Sequence, residues 1–114
     1  MKPTNKQMSL LTAMAQDRCQ VAYSCDGLEA MKTGFCNTEI GNWAKVAGLT
    51  PKSARGVFGT LVQAGWVELD EDNFRSDSSF SDYWDMSAFT KEGVKIYEEN
   101  GGEWFEDLYR STMA

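Results

Sequence analysis

The chain has 114 residues, 42% hydrophobic and 12% aromatic, which is apolar material for one packed core and argues against both a disordered chain and a multidomain one. It carries 11 basic against 17 acidic residues, net −6, and no histidine, so Ser-His and Cys-His nucleophiles and most zinc sites are excluded. No apolar run approaches the roughly 18 to 20 residues of a membrane span, and the start has no basic head followed by an apolar segment. Cys19, Cys25 and Cys36 form an odd set that does not fit a secreted disulfide framework. The expectation is a cytoplasmic protein with reduced thiols and no membrane partner.

From Lys6 onward, Leu10, Leu11, Met14, Ala15, Arg18, Cys19 and Ala22 recur at three- and four-residue spacing, predicting an amphipathic first helix that ends near Ala22. Tyr23 to Gly34 holds a turn at Asp26-Gly27 and a short helix around Leu28, Ala30 and Met31. Asn37 or Thr38 is placed to cap a second helix with Ile40, Trp43, Ala44 and Ala47 on its apolar face, and Gly48 ends it. Thr50 caps a third helix, with Pro51 at the first position, where a missing amide costs nothing. Its buried stripe is predicted to be Ala54, Val57, Phe58, Leu61 and Val62, leaving Lys52, Ser53, Arg55, Gly56, Gly59, Thr60 and Gln63 outside. Gly65 stops it with a left-handed cap. Trp66 to Leu69 reads as a strand and Tyr83 to Phe89 as its return partner, joined by a Ser- and Asp-rich loop over 75–82. Thr90 caps a helix from Lys91 to about Asn100, broken by Gly101-Gly102. A last helix carries Trp104, Phe105, Leu108 and Tyr109 on one side, predicted to pack onto the first helix; a homodimer interface is the functional alternative for that stripe.

Two helices, a short turn, a third helix with basic and small residues outside, and a two-stranded hairpin describe a helix-turn-helix with a wing, mainly α with a β-hairpin (α+β). The run from Thr38 to Val67, with Trp43-Ala44-Lys45-Val46-Ala47-Gly48-Leu49-Thr50-Pro51 and Gly65-Trp66-Val67, resembles the winged-helix motif of bacterial transcription regulators. Phe89-Thr90-Lys91-Glu92-Gly93 resembles the stretch that follows the wing in MarR-like regulators. The resemblance implies one winged-helix domain over 1–114, with the helix-turn-helix at about 38–64, the wing at about 66–89 and C-terminal helices at about 91–113. It implies a small transcriptional regulator whose partner is double-stranded DNA. The third helix enters the major groove, with Lys52, Ser53, Arg55 and Gly56 near its exposed start, Thr38 or Lys45 holding the phosphate backbone, and Arg75 as the wing contact. Side-chain chemistry agrees. Arginine makes a two-pronged contact with guanine, lysine and serine hold phosphates, and glycine permits close backbone approach.

Charge placement supports a rival reading. Residues 37–64 hold Lys45, Lys52 and Arg55 against Glu39 alone, whereas 65–89 hold Glu68, Asp70, Glu71, Asp72, Asp77, Asp82 and Asp85 against Arg75. In that reading the hairpin's Asp70, Glu71 and Asp72, with Phe74, Phe80, Tyr83 and Trp84, form an acidic surface that engages a basic, nucleic-acid-binding protein, as a small viral inhibitor of host machinery would. Asp70, Asp72 and Asn73 do not make a calcium loop, because position 81, where the closing glutamate belongs, is Ser81. Gly56 and Gly59 lie within a helix, so no phosphate-binding loop is present, and no carboxylate pair is set in a cleft. The expectation is therefore a non-enzyme with no catalytic residues, no cofactor and no metal.

Overall fold

The computed structural model describes residues 2–20, 27–70 and 86–113. Helix α1 (Asn5–Gln20) begins at a reciprocal cap: the Thr4 amide donates to Gln7 Oε1 at 2.8 Å and the Gln7 amide donates to Thr4 Oγ1 at 3.1 Å. It buries Leu10, Leu11, Met14, Ala15, Arg18 and Cys19, the predicted spacing, and Ala13 besides; Ala22, its expected end, lies outside the described residues. The one-turn helix α2 (Leu28–Lys32) follows, and then α3 (Ile40–Ala47), α4 (Pro51–Gln63), α5 (Lys91–Glu99) and α6 (Glu106–Met113) supply the other helices of the described residues.

Three short strands form one antiparallel sheet: β1 (Cys36–Asn37), β2 (Val67–Leu69) and β3 (Met86–Phe89), in the order β1-β3-β2. β3 is central, pairing Phe89, Ala88 and Ser87 with Val67, Glu68 and Leu69 on one side, and Ser87 and Met86 with Cys36 and Asn37 on the other. The molecule is thus mainly helical with a small three-stranded sheet, an α+β architecture. The return strand falls where the sequence puts its end, with its first predicted residues, 83–85, outside the described ones.

β1 is absent from the sequence reading, because two residues carry no period to detect. It changes the start of α3. Asn37 is a strand residue, the cap position is Glu39 with no side-chain cap bond, and the Thr38 hydroxyl donates instead to Ser87 Oγ at 2.9 Å. The cap expected from Asn37 or Thr38 is therefore not made.

The local signals at the other helix ends hold. Thr50 Oγ1 accepts from the Ser53 amide at 3.1 Å and Thr90 Oγ1 from the Gly93 amide at 3.0 Å, each satisfying an amide of its helix's first turn. At the end of α4, Gly65 takes φ +80°, which lets its amide donate to Val62 O and the Trp66 amide donate to Leu61 O, and the chain turns directly into β2. α3 closes with the same pair of bonds at Gly48 and Leu49.

The core gathers Leu10, Leu11 and Met14 of α1 against Trp43 and Ala44 of α3, Ala54 and Leu61 of α4, Val67, Phe89, Ile96 and Tyr97. A second cluster sets Cys19 and Met31 against Leu28, Trp104, Phe105, Leu108 and Tyr109, so the aromatic stripe packs onto α1 as predicted. Trp104 and Phe105 themselves precede α6, which starts at Glu106. Among the described residues no helix is long and apolar enough to cross a membrane.

Candidate functional site

α3 and α4 meet through the three residues Gly48, Leu49 and Thr50, and the apolar sides of both helices are spent against α1. Trp43 of α3 and Phe58 of α4 face each other with ring centroids 5.9 Å apart, and Trp43 Nε1 donates to Asp17 Oδ2 of α1 at 3.0 Å. These contacts fix which side of α4 turns outward. Ala54 and Leu61 are buried, Val57, Phe58 and Val62 are half-buried, and Lys52, Arg55, Gly56, Gly59, Thr60 and Gln63 are exposed, the division that the sequence predicts. Ser53 is half-buried at the first turn, where its amide is taken by the Thr50 cap.

Lys52 and Arg55 therefore stand on one exposed face, one turn apart, with Gly56 and Gly59 offering bare backbone beside them. A Cβ built on either glycine meets nothing within 4 Å, so packing within the chain does not require glycine at these positions. Lys45 is exposed on the last turn of α3. The ion pairs among the described residues are Lys32–Glu29, Lys32–Glu98 and Arg110–Glu106, so Lys45, Lys52 and Arg55 take part in none. No acidic residue occurs between Glu39 and Glu68. This face can accept an anion without first breaking an internal pair.

Beside it a cleft of about 420 Å³ opens between the start of α3, one flank of α4 and β2, with Ile40, Phe58, Val62 and Leu69 on its walls and Arg55 and Gln63 at α4. On the opposite side of α4, Gln7 Nε2 of α1 donates to Thr60 Oγ1 at 3.0 Å, a tie the sequence reading missed although Thr4-x-x-Gln7 is a visible capping pattern.

Other nominated residues fall differently. Thr38 is 5% exposed and its hydroxyl is committed to Ser87, so it is not an exposed phosphate-holding residue; it follows β1 directly and lies at the base of the cleft beside α4. Asp70 is half-buried at the end of β2, where its amide donates to Met86 O at 2.9 Å and lengthens the ladder. Arg75, Glu71, Asp72, Phe74, Phe80, Tyr83 and Trp84 lie outside the described residues.

The charged groups behind the site are structural. Burial pushes the Asp17 carboxyl above the usual range, with the Trp43 hydrogen bond acting against it, Glu39 adding to the rise and Arg18 opposing it. Arg18 is 2% exposed; its Nη2 donates to Gly34 O at 2.6 Å and Ser87 O at 3.2 Å, and the guanidinium sits 5.0 Å from the centre of the Phe89 ring. It therefore pins the sheet to α1. Comparison with protein-family models, with curated proteins and with solved structures finds no match for this chain.

Proposed function

We propose that this chain is a small winged-helix protein that binds double-stranded DNA and regulates transcription, with α4 as the helix that enters the major groove. The observation that carries this reading is the outer face of α4, where Lys52 and Arg55 are exposed, outside every ion pair of the described residues, and within a stretch that has no acid from 40 to 67. The element order supports it. A long helix and a one-turn helix, a short strand, two helices joined by a three-residue turn, and two further antiparallel strands in the sheet order β1-β3-β2 fit the winged-helix arrangement. So does the resemblance of Thr38 to Val67, and of Phe89 to Gly93, to MarR-like regulators.

The mechanism is occupancy of a duplex site. α4, 13 residues and about 20 Å long at 1.5 Å per residue, fits the B-DNA major groove, about 12 Å wide. Arg55 reads a guanine edge, Lys52 and Lys45 hold phosphates, and Gly56 and Gly59 let the helix backbone come close to the bases. Ser53 lies at the α4 start to meet a phosphate, and Thr38, buried with its hydroxyl bonded to Ser87, is left out.

Fluorescence anisotropy with mixed-sequence duplex at about 50 mM and 200 mM salt tests the reading, since neutralised phosphates make affinity fall steeply with salt. The wild type binds in a salt-dependent way, and Arg55→Ala weakens that binding by removing one cation from the face, with a loss of roughly tenfold or more on a duplex carrying the guanine it reads. Absence of binding at low salt overturns it. The reading left standing would then be the acidic protein-binding module, supported by the seven acids from Glu68 to Asp85.

A further inference from the structure

The two longest stretches of the chain without an acidic residue are 1–16 and 40–67, and between them they hold Lys2, Lys6, Lys45, Lys52 and Arg55, five of the 11 bases of a protein of net charge −6. The fold sets the two stretches side by side. The Gln7–Thr60 hydrogen bond ties the first turn of α1 to the third turn of α4 at 3.0 Å, with Gln7 itself held by Thr4. Asn5, Met8 and Ser9 line a groove with Val46 and Ala47, so the same turn of α1 also borders the end of α3, where Lys45 lies.

Lys6 stands one residue before that tether and Lys2 on the lead into the helix; both are exposed, and neither takes part in an ion pair among the described residues. The first acid along α1, Asp17, lies about 16 Å up the helix axis from Lys6 at 1.5 Å per residue, and its carboxylate accepts from Trp43. The other flank of α4 is different. At 3.6 residues per turn, Arg55 and Thr60 lie on opposite flanks of the outer face, and the Arg55 flank borders β2, whose end leads through Glu68 and Asp70 into the acid-rich stretch. A polyanion laid along α4 meets added positive charge on the α1 side and repulsion on the β2 side.

We propose that the duplex-contact surface runs from α4 onto the first turn of α1, where Lys2 and Lys6 take backbone phosphates beside the groove that α4 enters. The inference rests on the DNA-binding reading above and adds two residues and a direction: the footprint is displaced toward α1 and away from the hairpin.

The test is a salt titration of the full chain on mixed-sequence duplex, comparing the wild type, Lys2→Gln/Lys6→Gln, Arg55→Ala and Lys91→Gln/Lys95→Gln. The last variant makes the same charge change with exposed lysines of α5, outside both acid-free stretches. Loss of two phosphate contacts makes the slope of log K against log salt shallower by about 1.8, at about 0.9 per phosphate, in Lys2→Gln/Lys6→Gln alone of the two lysine pairs. Affinity at low salt falls alike on every duplex sequence, because phosphates carry no sequence information. All four lysines are exposed, so circular dichroism melting curves match the wild type. An unchanged slope in Lys2→Gln/Lys6→Gln, with Arg55→Ala still weakened, overturns the extension and leaves the α4 interface standing. Equal losses in both lysine pairs overturn it as a net-charge effect. No binding by the wild type overturns both readings.

Discussion

At Gly93 the first turn of α5 passes over the backbone of Trp66, and a Cβ there would sit 1.9 Å from the Trp66 carbonyl oxygen and 2.7 Å from its carbon. Neither atom belongs to a side chain that could swing aside. Gly93→Ala must push α5 off the backbone at Trp66, where the chain enters β2, and we expect a loss of about 1 to 3 kcal/mol, the usual cost of overpacking, read from urea denaturation with an unchanged slope. Nothing in the sequence around Gly93 announces this, because its neighbour is 27 positions away. The contrast with Thr50 and Thr90 is instructive. Their caps are made within three residues, so the pattern of residue types suffices to find them, whereas Thr38, equally good by type, gives its hydroxyl to a partner 49 positions on. Lys52, Arg55 and Gly56 were legible as exposed residues for the same local reason, and the burial of Thr38 was not.

For whole elements, the helices were readable where one face repeats over three turns or more, as in α1 and α4, and their ends where glycine or a capping threonine marks them. β1 was unreadable because it is a strand only through β3, which has an unsatisfied edge until Cys36 and Asn37 arrive. α4 departs from what stability alone would select. Gly56 is exposed, helical and surrounded by open space, and glycine in a helix interior costs about 0.8 to 1 kcal/mol relative to alanine. Gly56→Ala therefore stabilises the fold by up to about 1 kcal/mol, seen as a rise in the thermal midpoint; under the DNA-binding reading proposed above it also sets α4 back from the duplex by a methyl group.

Across the molecule, Lys32 of α2 bridges to Glu98 of α5 at 2.9 Å and to Glu29 at 3.1 Å, while Trp104 Nε1 donates to the same Glu98 oxygen at 2.7 Å. Burial alone would lower the Lys32 pKa, and the hydrogen bonds to Glu98 and Glu29 overrule it, so the ammonium is held above its ordinary range. Hydrogen bonds from Lys32 and then Trp104 hold the Glu98 carboxyl below the usual carboxylate range. A carboxyl whose folded pKa is depressed adds stability that is complete above its unfolded pKa and is lost as pH falls through the folded value. Glu98→Gln should lower stability at neutral pH by no more than about 1 kcal/mol, since the carboxylate is 43% exposed and screened, and the difference from the wild type should vanish in acid, as thermal melts across pH would record. The lopsided charge of the chain was plain in its sequence. That 1–16 and 40–67 adjoin was not, since Gln7 and Thr60 are 53 positions apart.

Arg18 joins the ends of this fold in time as well as in space. Its guanidinium reaches Ser87 O, 69 residues later in the chain, and Gly34 O, 16 residues later, so the place prepared for it is incomplete until β3 has been made. During synthesis α1 leaves the ribosome with a charge on its apolar side, and Gly34 O is the first of these two carbonyls to become available to it. A truncated product lacking β3 would keep the Gly34 partner but lose both Ser87 O and the Phe89 ring, leaving the cation part-satisfied and the end of α1 more open to proteolysis.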